Sequence, residues 1–311
     1  QAVLREPIIN TYRDYTIYSM APPSSGGITL SIMLNILEGY DLKALGHNSS
    51  QYIHLVAEAM RRAFSDRAEH LGDPDFNPNM PVETLLSKSY AKMLRKSIDP
   101  EAASISNPES FAWGAESEET THFAVVDAAG NAVSNTYTLE YGYGSRIVLN
   151  GAGFLLNNEM GDFNPQPGRT DTTGLIGTKP NLVHPGKRML SSMTPTIVAK
   201  DGKPYMLIGS PGGRTIINTV LQSIINVVDF EMNIFEAINA PRFHHQWLPD
   251  KLRIEKWGVS KDATDRLETM GHHIASRRTQ GRAMGIIIDP ETNLRIGASD
   301  PRSPFGAAVG Y

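Results

Sequence analysis

The 311-residue chain contains no cysteine. Disulfides, thiolate catalysis and cysteine-ligated zinc are thereby excluded, while an oxidising compartment stays open. Positive charge is not in surplus either: 29 basic against 33 acidic residues leave a formal net charge of -4. That balance offers no footprint for nucleic acid or an anionic membrane, and a small polar substrate fits it better. No apolar run approaches the roughly eighteen residues that a membrane helix requires. The nearest, Ile28 to Leu37, is interrupted by Thr29, Ser31 and Asn35 and predicts a buried helix. No charged and apolar leader is visible ahead of the globular pattern that follows Gln1. Repeats and low-complexity tracts are also missing. What is present, 40% hydrophobic and 20% charged residues, is ordinary for a folded globular protein.

Periodicity divides the chain near residue 120. Residues 1 to about 100 read as mostly helical, with a Pro22 to Gly27 turn feeding a helix to Glu38 and a second helix from about Ser50 to Leu71. In the second, Ile53, Val56, Met60, Ala63 and Phe64 share one face, Ser49 or Ser50 caps the start, and Gly72 and Pro74 stop it. Its Arg61, Arg62, Asp66 and Glu69 read as a solvated face. From Thr120 the pattern turns to strands: a hairpin of Thr121 to Asp127 with Ala132 to Leu139, and a second of Thr194 to Ala199 with Tyr205 to Gly209. Gly212-Gly213 then opens an apolar helix from Ile216 to Val228. A strand near Lys251 to Lys256, a helix near Lys261 to Met270 and a hairpin between Ala283 and Ile296 complete the pattern, and Phe163 to Arg188 is the one long irregular segment.

The chemistry concentrates around Thr120-Thr121-His122-Phe123, Thr138, Ser191-Ser192 and Ser210-Pro211-Gly212-Gly213. A threonine hydroxyl is a weak nucleophile; the α-amine of the same residue, once it is a chain terminus, is one base that activates it. That amine titrates near 7.7 to 8.0 in model compounds, close enough to neutrality to act as a base. Such chemistry requires a cut before the threonine, and the acidic stretch from Asn107 to Glu119 reads as an exposed connection ending at that bond. Gly212-Gly213 before a helix presents N–H groups and a partial positive charge, a candidate oxyanion hole that also reads as a plain strand-to-helix turn. Ser210 lacks G-x-S-x-G spacing and is followed by proline, which argues against a serine nucleophile. The pairs His244-His245 and His272-His273 do not have zinc spacing, and Asp73 to Asn77 lacks the glycine and terminal glutamate of a calcium loop.

Taken together, these residues resemble the γ-glutamyltranspeptidases, N-terminal-nucleophile (Ntn) hydrolases. The resemblance runs along the whole chain, through Pro23 to Gly27, Leu71-Gly72-Asp73-Pro74, Thr120 to Phe123, Asn157 to Met160, Leu190 to Thr196, Gly209 to Gly213, Asn239 to Gln246 and Ala298 to Arg302. It implies an α+β fold, a four-layer αββα sandwich, formed from a precursor that cuts itself between Glu119 and Thr120. Residues 1–119 would then be the end of the large subunit and 120–311 the small catalytic subunit, both within one domain.

Carried over residue by residue, Thr120 resembles the nucleophile and Thr138 the threonine that orients it, with Gly212 and Gly213 holding the oxyanion. Ser191 and Ser192 resemble the pair on the substrate α-carboxylate, and Glu140, Glu159 and Asp162 the group around its α-ammonium. The implied reaction is γ-glutamyl transfer from glutathione and related donors to water, amino acids or peptides. The resemblance implies no cofactor or metal, a large/small subunit heterodimer, and a periplasmic or extracellular place.

The chain resembles the carboxyl-terminal portion of the precursor, so a polar sheet face and half the substrate pocket are expected to stand open. Glu140 stands where many relatives have Asn, and Thr173 stands where the lid over the pocket carries an aromatic. Two other readings remain: a non-catalytic binding or scaffold fragment, and a relative acting on glutaryl β-lactams or poly-γ-glutamate.

Overall fold

The computed structural model describes residues 2–107, 120–169 and 171–310. It opens on an antiparallel hairpin, β1 (Ile8–Tyr12) and β2 (Tyr15–Ser19), where the sequence reads as helical. The strand signal is there in β1, whose Ile8, Asn10 and Tyr12 are buried between exposed Ile9 and Thr11, but it is only five residues long. The helix α1 (Gly26–Leu37) is buried along its entire length. After α2 (Leu42–Leu45) comes α3 (Ser50–His70), capped by Ser49, whose hydroxyl accepts the Tyr52 N–H at 3.1 Å. The helices α4 (Val82–Leu86) and α5 (Lys88–Lys96) pack against α1.

Beyond residue 120 the hairpin β3 (Thr121–Val126) and β4 (Ala132–Tyr137) turns at Asp127, whose Oδ1 accepts the Asn131 N–H at 2.8 Å. Then come β5 (Thr196–Lys200), β6 (Lys203–Gly209), α6 (Thr215–Val228) and α7 (Ile234–Asn239). A small sheet of β7 (Phe243–His244), β8 (Leu252–Glu255) and β9 (Ile274–Arg277) holds α8 (Lys261–Thr269) as the connection between its parallel pair. The strands β10 (Met284–Ile288) and β11 (Arg295–Ser299) close the order. One six-stranded antiparallel sheet runs β1-β2-β5-β6-β10-β11.

Two layers cover this sheet. Because β6 already has β5 and β10 as in-plane neighbours, its contacts with α6 on one side and with β3 and β4 on the other are face-on. Met206 and Ile208 join the helical core, whereas Gly209 meets the His122 ring of β3. A strand buried on both faces loses polar alternation, and the last four residues of β6 are all buried. Among the described residues this gives helix, sheet and hairpin, three layers of the expected α+β sandwich. The outer face of the hairpin is apolar rather than polar, contrary to expectation: Phe123, Val125, Val133 and Tyr137 are exposed there.

The supposed solvated face of α3 is also corrected. Arg61 and Asp66 are 5% and 8% exposed, because segments beyond α5 and α5 itself fold over them, while Glu69 does face solvent.

Two predictions follow from this packing. An ideal Cβ at Gly209 would lie 2.2 Å from the His122 ring, so Gly209→Ala must part sheet from hairpin. A loss of about 1–3 kcal/mol in urea unfolding is expected, and an unchanged midpoint would show that the two layers are not in register-determining contact. The second concerns pH. Burial pushes Asp66 up to about 7, with the Tyr90 hydroxyl opposing and Glu69 adding to the shift. The folded chain then keeps a proton that the unfolded chain releases above about pH 4, so stability falls as pH rises from there to about 7. Asp66→Asn should flatten this slope and be more stable than the parent at pH 8, on the order of 2 kcal/mol; parallel slopes for the two proteins would refute it.

Candidate active site

Thr120 lies half-buried at the entrance of β3. The hairpin register pairs Thr121 with Tyr137, and continued by one residue it sets Thr138 opposite Thr120. Thr138 Oγ1 accepts the Glu140 N–H at 2.9 Å. Glu119 lies outside the described residues. Two residues on, His122 carries the hairpin onto the end of β6 through its ring against Gly209, and its Nδ1 is 2.8 Å from Thr136 Oγ1. Burial pulls this imidazole down to about 4, which keeps it neutral near Thr120 at ordinary pH.

That stacking brings Thr120 to the turn after β6. Thr120, Pro211 and Arg282 line one 450 Å³ cavity with Phe305 and its neighbours from the chain's last residues. In the turn, Gly212 and Gly213 have φ of 134° and 55°, of which the first suits glycine alone. The Gly212 carbonyl is taken by Thr215, by hydroxyl at 2.7 Å and by N–H at 3.1 Å, and this fixes the first turn of α6. The Gly212 and Gly213 N–H groups are used by no hydrogen bond among the described residues, as an anion-binding turn requires. Ser210 is fully buried; its hydroxyl donates to the Pro211 carbonyl at 2.7 Å and accepts the Arg282 N–H at 2.9 Å, so it is a structural hydroxyl.

Three carboxylates converge next to Thr138. Glu140 is buried with φ of 73° and accepts from Asn158 Nδ2. Gly161 admits it, since a Cβ there would sit 2.7 Å from Glu140 Oε1. The single 3-10 turn Glu159–Asp162 supplies the other two. Burial raises Glu159 above the usual carboxylate range; its hydrogen bond with Asp162 opposes this and the Glu140 charge adds to it. Negative groups pressed together in this way are relieved by a cation.

Ser191 and Ser192 follow an isolated bridge in which the Ser25 hydroxyl and N–H both donate to the Ser191 carbonyl, at 2.7 and 2.8 Å. The Ser191 hydroxyl accepts the Met193 N–H at 3.1 Å. The Ser192 hydroxyl accepts from Arg67 Nη2 at 2.8 Å, while Arg67 Nε donates to the Ser25 hydroxyl at 2.7 Å. Arg67 escaped the sequence reading, where it is one more charged residue of α3. Asn181 escaped too: its Nδ2 donates to the Asp162 carbonyl at 2.6 Å and its Oδ1 accepts the Leu190 N–H at 2.9 Å, tying the acidic turn to the serine segment. No periodicity marks a loop asparagine of this kind.

The segment from 163 to 188 is irregular as expected apart from a short 3-10 turn at Lys179–Asn181, and Thr173 turns outward on Asp171, its hydroxyl donating to Oδ1 at 2.5 Å. The Leu71 to Pro74 motif holds it down. The Gly72 backbone lies where a Cβ would be 2.1 Å from the Pro180 oxygen, and Asp73 Oδ2 accepts the Arg188 N–H at 2.8 Å. Asp73 to Asn77 is thus a docking turn.

His272, set aside on spacing, meets His54 and Glu58, with ligand atoms within 4.8 Å of one another. The bonding fixes the tautomers of the pair. His54 Nε2 donates to the Asp99 carbonyl at 2.8 Å, so its Nδ1 accepts from His272 Nε2 at 2.9 Å. Glu58 is occupied by Arg61 at 3.0 Å and Arg62 at 2.6 Å.

The chain is similar to several known proteins. A family model described as gamma-glutamyltranspeptidase matches residues 1–310. The chain is 49% identical to a glutathione hydrolase proenzyme of Escherichia coli strain K12, over 100% of this chain and 53% of the relative. It is 37% identical to an acylase ACY 1 proenzyme of Pseudomonas sp. strain V22, over 94% of this chain and 50% of the relative. Among solved structures, a T380A mutant of Helicobacter pylori γ-glutamyltranspeptidase aligns at 51% identity with a TM-score of 0.56, covering 59% of this chain and 100% of that one. A cephalosporin acylase from Bacillus halodurans aligns at 28% identity with a TM-score of 0.79, covering 96% of this chain and 52% of that one. The chain spans about half the length of the curated relatives it matches. On the match along nearly its whole length, the chain belongs to the γ-glutamyltranspeptidase family.

Proposed function

We propose that this chain carries the nucleophile and much of the donor pocket of a γ-glutamyl transferase and glutathione hydrolase. The observation that carries the proposal is that Thr120 shares a cavity with Pro211, the residue that leads into the Gly212-Gly213 turn, while Thr138, its neighbour across the hairpin, leads into the carboxylate cluster of Glu140, Glu159 and Asp162. In this reading the Thr120 hydroxyl attacks the Glu119 carbonyl, the peptide shifts to an ester, and water frees Thr120 with its α-amine. That amine then takes the Thr120 proton as the hydroxyl attacks the γ-amide carbonyl of the donor. Gly212 and Gly213 hold the oxyanion, the departing amine takes the proton, and water or an acceptor amine resolves the γ-glutamyl ester. Thr138 orients the nucleophile. Ser191 and Ser192 take the donor's α-carboxylate, and Glu140, Glu159 and Asp162 take its α-ammonium.

The two fragments, 1–119 and 120–311, remain together because the helices of the first and the strands of the second share one core. No helix among the described residues is long and apolar enough to cross a membrane. We assign a periplasmic or extracellular place on family membership.

The acylase relatives favour a second reading, an acylase of glutaryl-type amides. It requires no ammonium site, and the carboxylate cluster speaks for the first.

Denatured intact mass tests the nucleophile. Freshly purified protein should give one species ending at Glu119 and one beginning at Thr120, and Thr120→Ala should stay whole; cutting that persists in the variant would eliminate Thr120. Substrate choice tests the pocket. Asp162→Asn should raise KM for a γ-glutamyl anilide about 10- to 100-fold, the scale of one charged hydrogen bond, and leave a glutaryl anilide within about twofold. An unchanged KM for both donors, with the glutaryl anilide the better substrate, would favour the acylase reading.

A further inference from the structure

Between the end of α5 and the connection to Thr120 the chain runs as an extended strap, residues 99–106, held down along its length. His54 Nε2 donates to the Asp99 carbonyl at 2.8 Å, Gln51 Nε2 to the Pro100 carbonyl at 2.8 Å, and the Ala103 N–H to the Met270 carbonyl at 2.7 Å. The last two anchors are carboxylates. Glu58, wholly buried in α3, accepts the Ser104 N–H at 3.2 Å and its hydroxyl at 2.5 Å. Asp250, from the loop before β8, accepts the Ser106 N–H at 2.8 Å. The side chain between them, Ile105, is 90% exposed, so alternate amides point inward as in a strand edge, with carboxylates in place of a partner strand.

Arg61 binds the two anchors into one unit. Its Nε donates to Glu58 at 3.0 Å, its Nη1 donates to the Ser106 hydroxyl at 2.5 Å, and it also pairs with Asp250. His245 Nε2 lies 3.0 Å from Asp250 on the other side. Burial alone would raise Glu58, but Arg61, Ser104 and Arg62 outweigh it and hold it down at about 2, so it stays ionised. Burying ions is costly unless each is paired, and a loop needing only to end a helix is held by ordinary turns. The cost is understandable if the position of this strap matters.

Self-cleavage is intramolecular, and its rate depends on how closely the scissile peptide is held to the attacking hydroxyl. One end of the connection is fixed by β3. We propose that Glu58, Arg61 and Asp250 form a buckle that fixes the other end, positioning the chain for cleavage before Thr120 and retaining the end of the severed upstream fragment afterwards. These are positioning residues, remote from the reacting atoms. The proposal rests on the self-cleavage reading above.

The test combines hydrogen exchange with a maturation time course followed by intact mass, in the protein as expressed. Asp250→Asn is the principal variant and Ser104→Ala the milder second one. Ser49→Ala, which removes only the α3 cap, controls for lost stability. In Asp250→Asn the amides of Ser104 and Ser106 should exchange at least about tenfold faster while α1 and α6 are unchanged, and cleavage should slow about tenfold or more. Ser104→Ala should shift both in the same direction, and Ser49→Ala neither. Unchanged strap exchange overturns the buckle. Faster exchange with an unchanged cleavage rate overturns the positioning role, as does equal slowing in Ser49→Ala. A wild-type chain that never cuts overturns the self-cleavage reading itself, and is recognised before any variant is compared.

Discussion

The arrangement of the candidate site depends on β6 being covered on both faces. Helices press on Met206 and Ile208, and the β3–β4 hairpin presses on Gly209, where a side chain would push the His122 ring away. Closure brings Thr120 into one cavity with Pro211, because Thr120 and the turn both lie just beyond the same packed contact of His122 on Gly209. Residues far apart in sequence thus meet through one hydrophobic interface, and catalysis by orientation inherits the stiffness of a close-packed core.

Where regular structure runs out, buried charge takes over. Asp73 holds the start of the loop docking turn through the Arg188 N–H, Arg242 pairs with Asp300 at 2.7 Å, and Tyr12 and Arg13 share Asp229. Glu255 accepts the N–H groups of Arg242 and Gln280 and pairs with Arg302. Each carboxylate satisfies backbone amides or side chains of an irregular segment that has no strand or helix partner. Desolvation offsets most of the attraction in such pairs, so the gain lies in fixing one arrangement of the loops over others. The acidic turn Glu159–Asp162 and the Ser191-Ser192 segment are irregular in the same way, and Asn181 ties them together.

Legibility in the sequence divided along the same line. The elements with a sustained period, α1, α3, α6 and the three hairpins after residue 120, were readable because burial imposes that period. The hairpin β1–β2 was too short to stand out, and the buried polar face of α3 was misread because charged residues at helical spacing describe solvent unless something covers them. Here α5 and the strap cover them, and neither leaves a mark on α3 itself. Thr120, Thr138 and the glycine turn were reached through motif order, not periodicity. Arg67 and Asn181 were not reached at all, since a side chain that supports another is defined by a contact across the fold.

In the proposed reading, the acidic group around Glu140, Glu159 and Asp162 distinguishes neighbouring chemistries. An acyl donor with only a terminal carboxylate gains nothing from three carboxylates near its reacting carbonyl and is repelled by them. A donor carrying an α-ammonium relieves their mutual repulsion, and the relief is greatest for Glu159, which burial and Glu140 both hold above its usual range. The ammonium therefore does more than add one ion pair, because it also offsets the Glu140 charge that, with burial, raises Glu159. Recognition of the amino group and completion of the pocket become a single event, and a substrate lacking that group would meet a site with its charges unresolved.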